Sequence, residues 1–309
     1  MEKRESLPAF PTWCRRVIRN YGWKRIRFGR SKLKKLLNLL TPRECEIVIR
    51  SGLRMHLDLD RSLQFFIFWF YEEVEPALQW AITHLLPVGG TFVDCGANVG
   101  LMGLLALHER QASCHFIEPH PRLAAAIRTN VALNDFGDRA KVHEWAASDR
   151  EGDCDLFLHP RDDGRHSLES MPDCERTRVK IRTLCQLIEE CRIAVVDLMK
   201  VDTEGHDYEV LVGLGPRLTP ATIRMLYVEM AGNNEAIASL LTGRGYRAFQ
   251  STRIFVDTLR RLHRMEDDQV VSYFTELTAG ERPYNALWVG RGTPEESLLK
   301  RISDIGVRP

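Results

Sequence analysis

No stretch of this 309-residue sequence stays apolar for long. The longest strongly apolar run, Phe65–Tyr71, is far short of the roughly 20 residues a membrane-spanning helix needs. The opening residues, MEKRESLPAFPTW, have no apolar core of the secretory kind, and a cytoplasmic protein is expected. The eight cysteines include no CxxC pair and no Cys/His spacing of the zinc-binding kind, so they read as reduced thiols and no metal site is expected. Repeats of roughly 20–50 residues and low-complexity tracts are lacking as well, which removes solenoids and propellers. There is no GxxxxGK[ST] either, and with it goes a phosphate-gripping P-loop.

What is there is a folded globular composition, 44% apolar and 28% charged, which excludes intrinsic disorder. The net charge of +1 conceals an asymmetry. Residues 1–50 carry 14 Lys/Arg against 4 Asp/Glu, or +10, and the remainder carries 29 against 38, or −9. A basic arm on a mildly acidic body suits an anionic neighbour, such as a membrane surface at the inner face of the cell, or is simply a solvated helix face. Within the arm, Trp13, Val17 and Tyr21 recur every four residues, and Leu33, Leu36, Leu37 and Leu40 form a second helical stripe.

EIVIRSGLRMHLDL, from residue 46, reads as a hairpin turning at Ser51-Gly52. Phe65–Tyr71 reads as a buried packing segment and residues 74–86 as a helix. From residue 90, strand and helix patterns alternate: TFVD, then Val99–Glu109; CHFIE, then Pro121–Leu133; KVHEWA; Ala194–Val201, then Tyr208–Leu214; Ile223–Met230, then Glu235–Thr242; and a closing strand in YNALWVG. Such alternation argues for a parallel sheet covered on both faces. Residues 250–282, with Arg253, Arg260, Arg261, His263 and Arg264, interrupt it and read as an inserted cap or loop. Those cations suit an anionic acceptor or a solvated face.

The sharpest feature is the first strand–turn–helix unit, Phe92-Val93-Asp94-Cys95-Gly96-Ala97-Asn98-Val99-Gly100. Open parallel sheets bind ligands beyond the carboxyl ends of their strands. The turn reads GxNxG, so the middle glycine of a dinucleotide-binding GxGxxG is missing. Asp94, just before the turn, would repel a pyrophosphate and attract a cation. S-adenosylmethionine fits better: it has no phosphate, a sulfonium, an ammonium group and a ribose diol. Gly96, Ala97 and Gly100 supply small residues under a nucleoside, and Glu118, one strand–helix–strand step on, suits the diol. Cys95 reads as a small packing residue.

Four blocks carry a family resemblance: FVDCGANVG at 92–100, FIEPHPRLAAAIRTNVALN at 116–134, LMKVDTEGHDYEVLVGL at 198–214 and YVEM at 227–230. Weaker echoes run from YEEVEPALQWAITHLLPVGG to YNALWVG, so the likeness spans about residues 71–290. The sequence resembles the FkbM-type methyltransferases, which use S-adenosylmethionine. The resemblance implies a Rossmann-like class I methyltransferase fold, α/β, with a mostly parallel sheet and helices on both faces, here preceded by a basic helical N-terminal arm. It divides the chain into the arm (1–45), a hairpin-and-helix lead (46–86), the methyltransferase domain (87–291, interrupted at 250–282) and a tail (292–309).

The resemblance further implies that Asp94, Gly96, Asn98 and Gly100 cradle the methionine and ribose, and that Glu118 holds the diol. It places Pro119 and His120 beside the adenosine and Ala146 and Ala147 near the adenine. The family often has asparagine where this chain has His120. Asp202 and Glu204 would meet the acceptor. If the acceptor is a hydroxyl, a base must take its proton, and His206, Asp202 or Glu204 could be that base, with Glu229 assisting. The same acids could instead cap the next helix. His166-Ser167 could point over the acceptor.

The expected function is O-methylation of a hydroxyl on a sugar, glycolipid or secondary metabolite, with a small-molecule or glycan acceptor as partner. The alternative is a membrane- or partner-binding protein with a non-catalytic methyltransferase-like scaffold. Nucleic acid is not expected, because no RNA-binding module and no Asn/Asp-Pro-Pro-Tyr motif is present.

Overall fold

The computed structural model describes residues 42–49, 52–160, 162–230, 234–251, 274–277 and 285–306. The helices expected in the arm before residue 42, and the cationic set at 253–264, lie outside the described residues.

Strands β1 (Glu44–Ile49) and β2 (Leu53–Asp58) form an antiparallel hairpin in which Ile47, Ile49, Leu53, Met55 and Leu57 all face the core. This is the period-two alternation of a half-buried ribbon. The aromatic run becomes helix α1 (Ser62–Phe70), whose mostly apolar surface is buried nearly all round. Helix α2 (Pro76–His84) opens on a proline, whose missing N–H costs nothing in a first turn.

From residue 91 the chain alternates: β3 (Thr91–Cys95), α3 (Leu101–Arg110), β4 (Ser113–Ile117), α4 (Pro121–Leu133) and β5 (Ala140–His143). Three further strands follow, β6 (Ala146–Ala147), β7 (Gly152–Leu158) and β8 (Glu175–Arg182). Alternation resumes through α5 (Leu184–Glu190), β9 (Val196–Val201), α6 (Asp207–Val212), β10 (Ile223–Glu229), α7 (Asn234–Gly243) and β11 (Tyr246–Ser251). The chain closes with β12 (Phe274–Glu276), β13 (Asn285–Gly290) and α8 (Pro294–Gly306).

Eight strands make one sheet in the order β12-β11-β13-β10-β9-β3-β4-β5. The five from β5 to β10 are parallel, and β13 is inserted antiparallel between β10 and β11. This is the expected Rossmann-like α/β fold. Its strand order reverses between β3 and β9, which leaves a crevice above their carboxyl ends. Successive residues of each strand enter opposite cores. Phe92, Phe116, Leu198 and Met225 pack with α1 to α4, while Val93, Ile117, Met199 and Leu226 pack with α5 to α7. Every residue of β9 is buried, as a central parallel strand covered on both faces requires.

Part of the segment at 250–282 is sheet: β12 pairs with β11 at the edge of the main sheet. The tail at 292–309 includes helix α8, whose Leu299 is buried. Strands β6, β8 and β7 form a separate small sheet beside the crevice.

The hairpin is fastened to α4 by side-chain amides in place of a neighbouring strand. Asn134 Oδ1 accepts from Arg54 N at 2.9 Å while its Nδ2 donates to Arg54 O at 2.7 Å, and Asn130 Oδ1 accepts from His56 N at 2.7 Å. An edge that would otherwise expose unpaired backbone groups is thereby closed.

Candidate active site

The β3–α3 turn is held from both sides. Gly96 N and Ala97 N both donate to Ile117 O on β4, Asp202 N donates to Cys95 O, and Lys200 Nζ donates to Gly96 O at 2.9 Å. Gly96 has φ +76°, and a Cβ there would stand 1.8 Å from the carbonyl oxygen of Asp202. Glycine is therefore required so that the ends of β3 and β9 can approach. Gly100 (φ +84°) packs against Phe116 and Ile127. Both glycines answer to packing within the protein.

Above this turn lies a cavity of about 370 Å³, the size of a small-molecule site. It brings together Asp94, Gly96, Ala97, Asn98, Glu118, Pro119, Ala146, Ala147, Asp202, Glu204 and Glu229 of the residues picked from sequence. His166, from the loop expected over the acceptor, lines it as well. Apolar wall comes from Leu63, Ile67, Ile117, Leu123 and Leu156.

Glu118 is fixed by two backbone donors, Asn98 N to Oε2 at 2.8 Å and His120 N to Oε1 at 2.9 Å. Each oxygen keeps a lone pair for a further hydroxyl. Burial pushes this carboxyl up to about 7, against those two donors. Asp94 Oδ2 accepts from Gly103 N at 2.9 Å, and burial raises its carboxyl despite the nearby Lys200 ammonium.

Lys200 is the hub. Its Nζ lies 3.0 Å from Asp202 Oδ2 and 4.0 Å from Asp94 Oδ1. Burial opposes the ammonium, but Asp202, Glu75 and Asp94 outweigh it and hold Lys200 well above the usual lysine range. Burial likewise works against the Asp202 carboxylate. Lys200 and hydrogen bonds from Glu75 and Glu229 overcome it and keep Asp202 low. Glu75 is raised well above the carboxylate range, by burial first. Its carboxyl shares a hydrogen bond with Asp202.

Glu204 differs from its neighbours. It lines the cavity, takes the left-handed conformation (φ 54°), and its main-chain oxygen accepts from Ser167 Oγ at 2.7 Å. Burial, then the Asp202 charge, push its carboxyl up to about 7. Helix α6 begins only at Asp207, whose Oδ1 accepts from Thr203 N and Oγ1. Asp202 and Glu204 therefore stand ahead of that helix rather than capping it.

Three expected residues are not in the cavity lining. Gly100 starts α3. His120 caps α4, its Nδ1 accepting from Arg122 N at 3.1 Å, and its ring stacks on that of His166 at 5.0 Å. His206 lies beside Ser148, its Nε2 3.0 Å from Ser148 Oγ, and carries no link to the Lys200 cluster.

Sequence reasoning missed Glu75, Asp163 and Asn285, which line the cavity, and gave Lys200 no role. The available signal for Glu75 was an acid directly before a proline. It holds φ 43°, ψ 58° at the start of α2, a conformation costly for a non-glycine residue and doubly so before proline. Buried oxygens on lining residues that have no hydrogen-bond partner among the described residues include Asp94 Oδ1, Asn98 Oδ1 and Asp163 Oδ1. Acceptor-rich and acid-rich, with an apolar wall, the cavity fits a cationic nucleoside with free hydroxyls.

Comparison with known proteins follows the same line. The family model described as "Methyltransferase FkbM domain" matches residues 94–261. The 31-O-demethyl-FK506 methyltransferase FkbM of Streptomyces tacrolimicus is 28% identical over 192 residues, 51% of this chain and 73% of that protein. The methyltransferase sdnD of Sordaria araneosa is 26% identical over 195 residues, 52% of this chain and 75% of that protein. Among solved structures, M. jannaschii TYW2 in complex with AdoMet aligns with a TM-score of 0.41 at 11% identity, over 81% of this chain and 86% of that one. P. horikoshii TYW2 in complex with MeSAdo aligns at 0.41 and 12%, over 82% and 73%.

Proposed function

This chain belongs to the FkbM methyltransferase family, is an S-adenosylmethionine-dependent methyltransferase, and, we propose, methylates a hydroxyl oxygen of a sugar, glycolipid or secondary metabolite. The observation that supports an oxygen acceptor is Glu204, a carboxyl that lines the cavity beside Asp202 from a left-handed turn and that burial pushes up to about 7. An attacking hydroxyl must lose a proton, and a base works best with its pKa near the operating pH. The name of the S. tacrolimicus relative, an O-demethyl-FK506 methyltransferase, points the same way.

When bound, S-adenosylmethionine supplies an activated methyl group on a cationic sulfur. Glu118 would hold the ribose diol, Asp94 and Asn98 would face the polar methionine part, and Ala146, Ala147, Ile117 and Leu156 would wall the purine. Glu204 takes the proton from the acceptor hydroxyl. Asp202 is less suited to that task, because Lys200, Glu75 and Glu229 already engage it. Its part is to fix Lys200 and, through it, the carbonyl of Gly96. The acid-rich lining favours neutral, hydroxyl-bearing acceptors over phosphorylated ones.

The test is methyl transfer from isotope-labelled donor to a panel of hydroxylated, carboxylated and amine acceptors. Label recovered as a base-stable ether supports the reading. Label found solely in an amine or in a base-labile ester would sink it. No helix among the described residues is long and apolar enough to cross a bilayer.

A further inference from the structure

On the far side of β4 and β5 from the N-terminal hairpin's helix, two histidines and a cysteine converge. His115 on β4 is buried, and His143 ends β5. Parallel pairing sets Ile117 opposite His143, so the two histidines share a face of the sheet. His115 Nδ1 and His143 Nε2 are 3.1 Å apart. Cys191, at the carboxyl end of α5, brings its sulfur to them, and all three ligand atoms lie within 4.8 Å of one another. Cys191 is a free, half-buried thiol.

We propose that His115, His143 and Cys191 bind a divalent ion of the zinc class, which fastens α5 to the edge strand. Two nitrogens each about 2.0–2.1 Å from a tetrahedral zinc ion stand roughly 3.3–3.4 Å apart, close to the separation seen here. Imidazole and thiolate are the ligands that borderline-soft ions select. Each ring turns one nitrogen toward the other ring, within reach of the Cys191 sulfur. Three protein ligands leave a fourth position for water.

On binding, a proton shared by the facing nitrogens must move to the far nitrogen of its ring, and the thiol proton of Cys191 goes to solvent, so binding releases a proton. The ligand from β5 precedes Trp145, Ala146 and Ala147 by a few residues. The ion would therefore steady the chain just before it enters the cavity wall.

Cobalt(II) titration of the chelator-treated full-length chain tests this, with absorbance and proton release as readouts. The expected result is about one cobalt ion per chain, thiolate-to-cobalt absorption in the near ultraviolet, displacement by zinc, and release of a proton. Cys191→Ser should abolish that absorption. His143→Gln should weaken binding by more than the roughly 10–100-fold that loss of an outer-shell partner costs. Circular dichroism of each variant checks that it folds. Absence of saturable binding at millimolar cobalt, absorption that survives Cys191→Ser, or unchanged affinity in His143→Gln would each overturn the proposal.

Discussion

Lys200 and Asp202 meet in a 3.0 Å ion pair at the end of the central strand β9. Asp202 is the first residue past that strand, where it meets the ammonium from Lys200 two positions back. The same ammonium donates to the carbonyl of Gly96. One buried cation thus ties the acidic floor of the cavity to the turn that frames it.

Replacing Lys200 by Met leaves Asp202 and Asp94 buried without their counter-charge. The expected loss is about 3–5 kcal/mol of stability, read by urea denaturation. The loss should be larger at pH 8 than at pH 5.5, because the stranded carboxyls can protonate at the lower pH. A loss equal at both pH values would show that the ammonium is not what balances them.

Gly96→Ala drives a Cβ to 1.8 Å from Asp202 O at φ +76°. A destabilisation above about 2 kcal/mol is expected. Gly137→Ala meets nothing within 4 Å and should stay within about 0.5 kcal/mol of wild type. Thermal melts of the two variants side by side decide the matter, and similar melting points would refute the close approach.

Glu204→Gln should lower kcat on the order of 10²–10⁴-fold while donor affinity holds. In the wild-type enzyme the rate should rise with pH through about 7, as the Glu204 carboxyl ionises. That acid limb should vanish in the variant. If the variant keeps the limb, the base is another group.

Donor binding offers a separate titration. Glu118 has its pKa near 7, so it is mostly protonated at pH 6 and mostly ionised at pH 8. If the ribose diol needs the ionised form, S-adenosylmethionine should bind about tenfold more weakly at pH 6 than at pH 8. Calorimetry should show this dependence flattened in Glu118→Gln. A pH-independent affinity in the wild type would remove Glu118 from the diol.

Asn130 is fully buried, and its side chain links the hairpin to Val99 O at the cofactor turn. Asn130→Ala leaves His56 N and Val99 O without that partner, and a loss of about 1–3 kcal/mol is expected. Denaturation measures it, and a neutral result would mean the hairpin docks by its apolar face alone.

The β3 turn, Glu118 and Asp202 were legible because their chemistry sits at strand ends within short motifs, and β9 because the stretch that contains it is mostly apolar. The pairing that makes the small sheet was not read. Strand β8, ERTRVKIR, exposes charges on both sides of Val179 and Ile181, and its pairing with β7 joins residues far apart in sequence. Glu75 was missed because its place in the site depends on a backbone conformation and on tertiary contact with Asp202. His206 stands in a motif that the site uses, yet its ring points to Ser148. Motif membership fixes the backbone path, and the last rotation of each side chain is decided by neighbours from elsewhere.

Leu63, Ile67, Val74 and Glu75 wall the cavity, and all four precede residue 94, where the match to the family model begins. The residues assigned to the methyl donor, from Asp94 to Ala147, lie inside it. The preceding segment thus adds wall to a cavity whose Asp202 and Glu204 lie inside the match, and changes in it can reshape the space left for an acceptor without touching the residues assigned to the donor. Exchanging residues 62–76 between family members should then change which acceptor is methylated while leaving S-adenosylmethionine affinity as it was. A chimera that keeps its original acceptor profile would place that choice elsewhere.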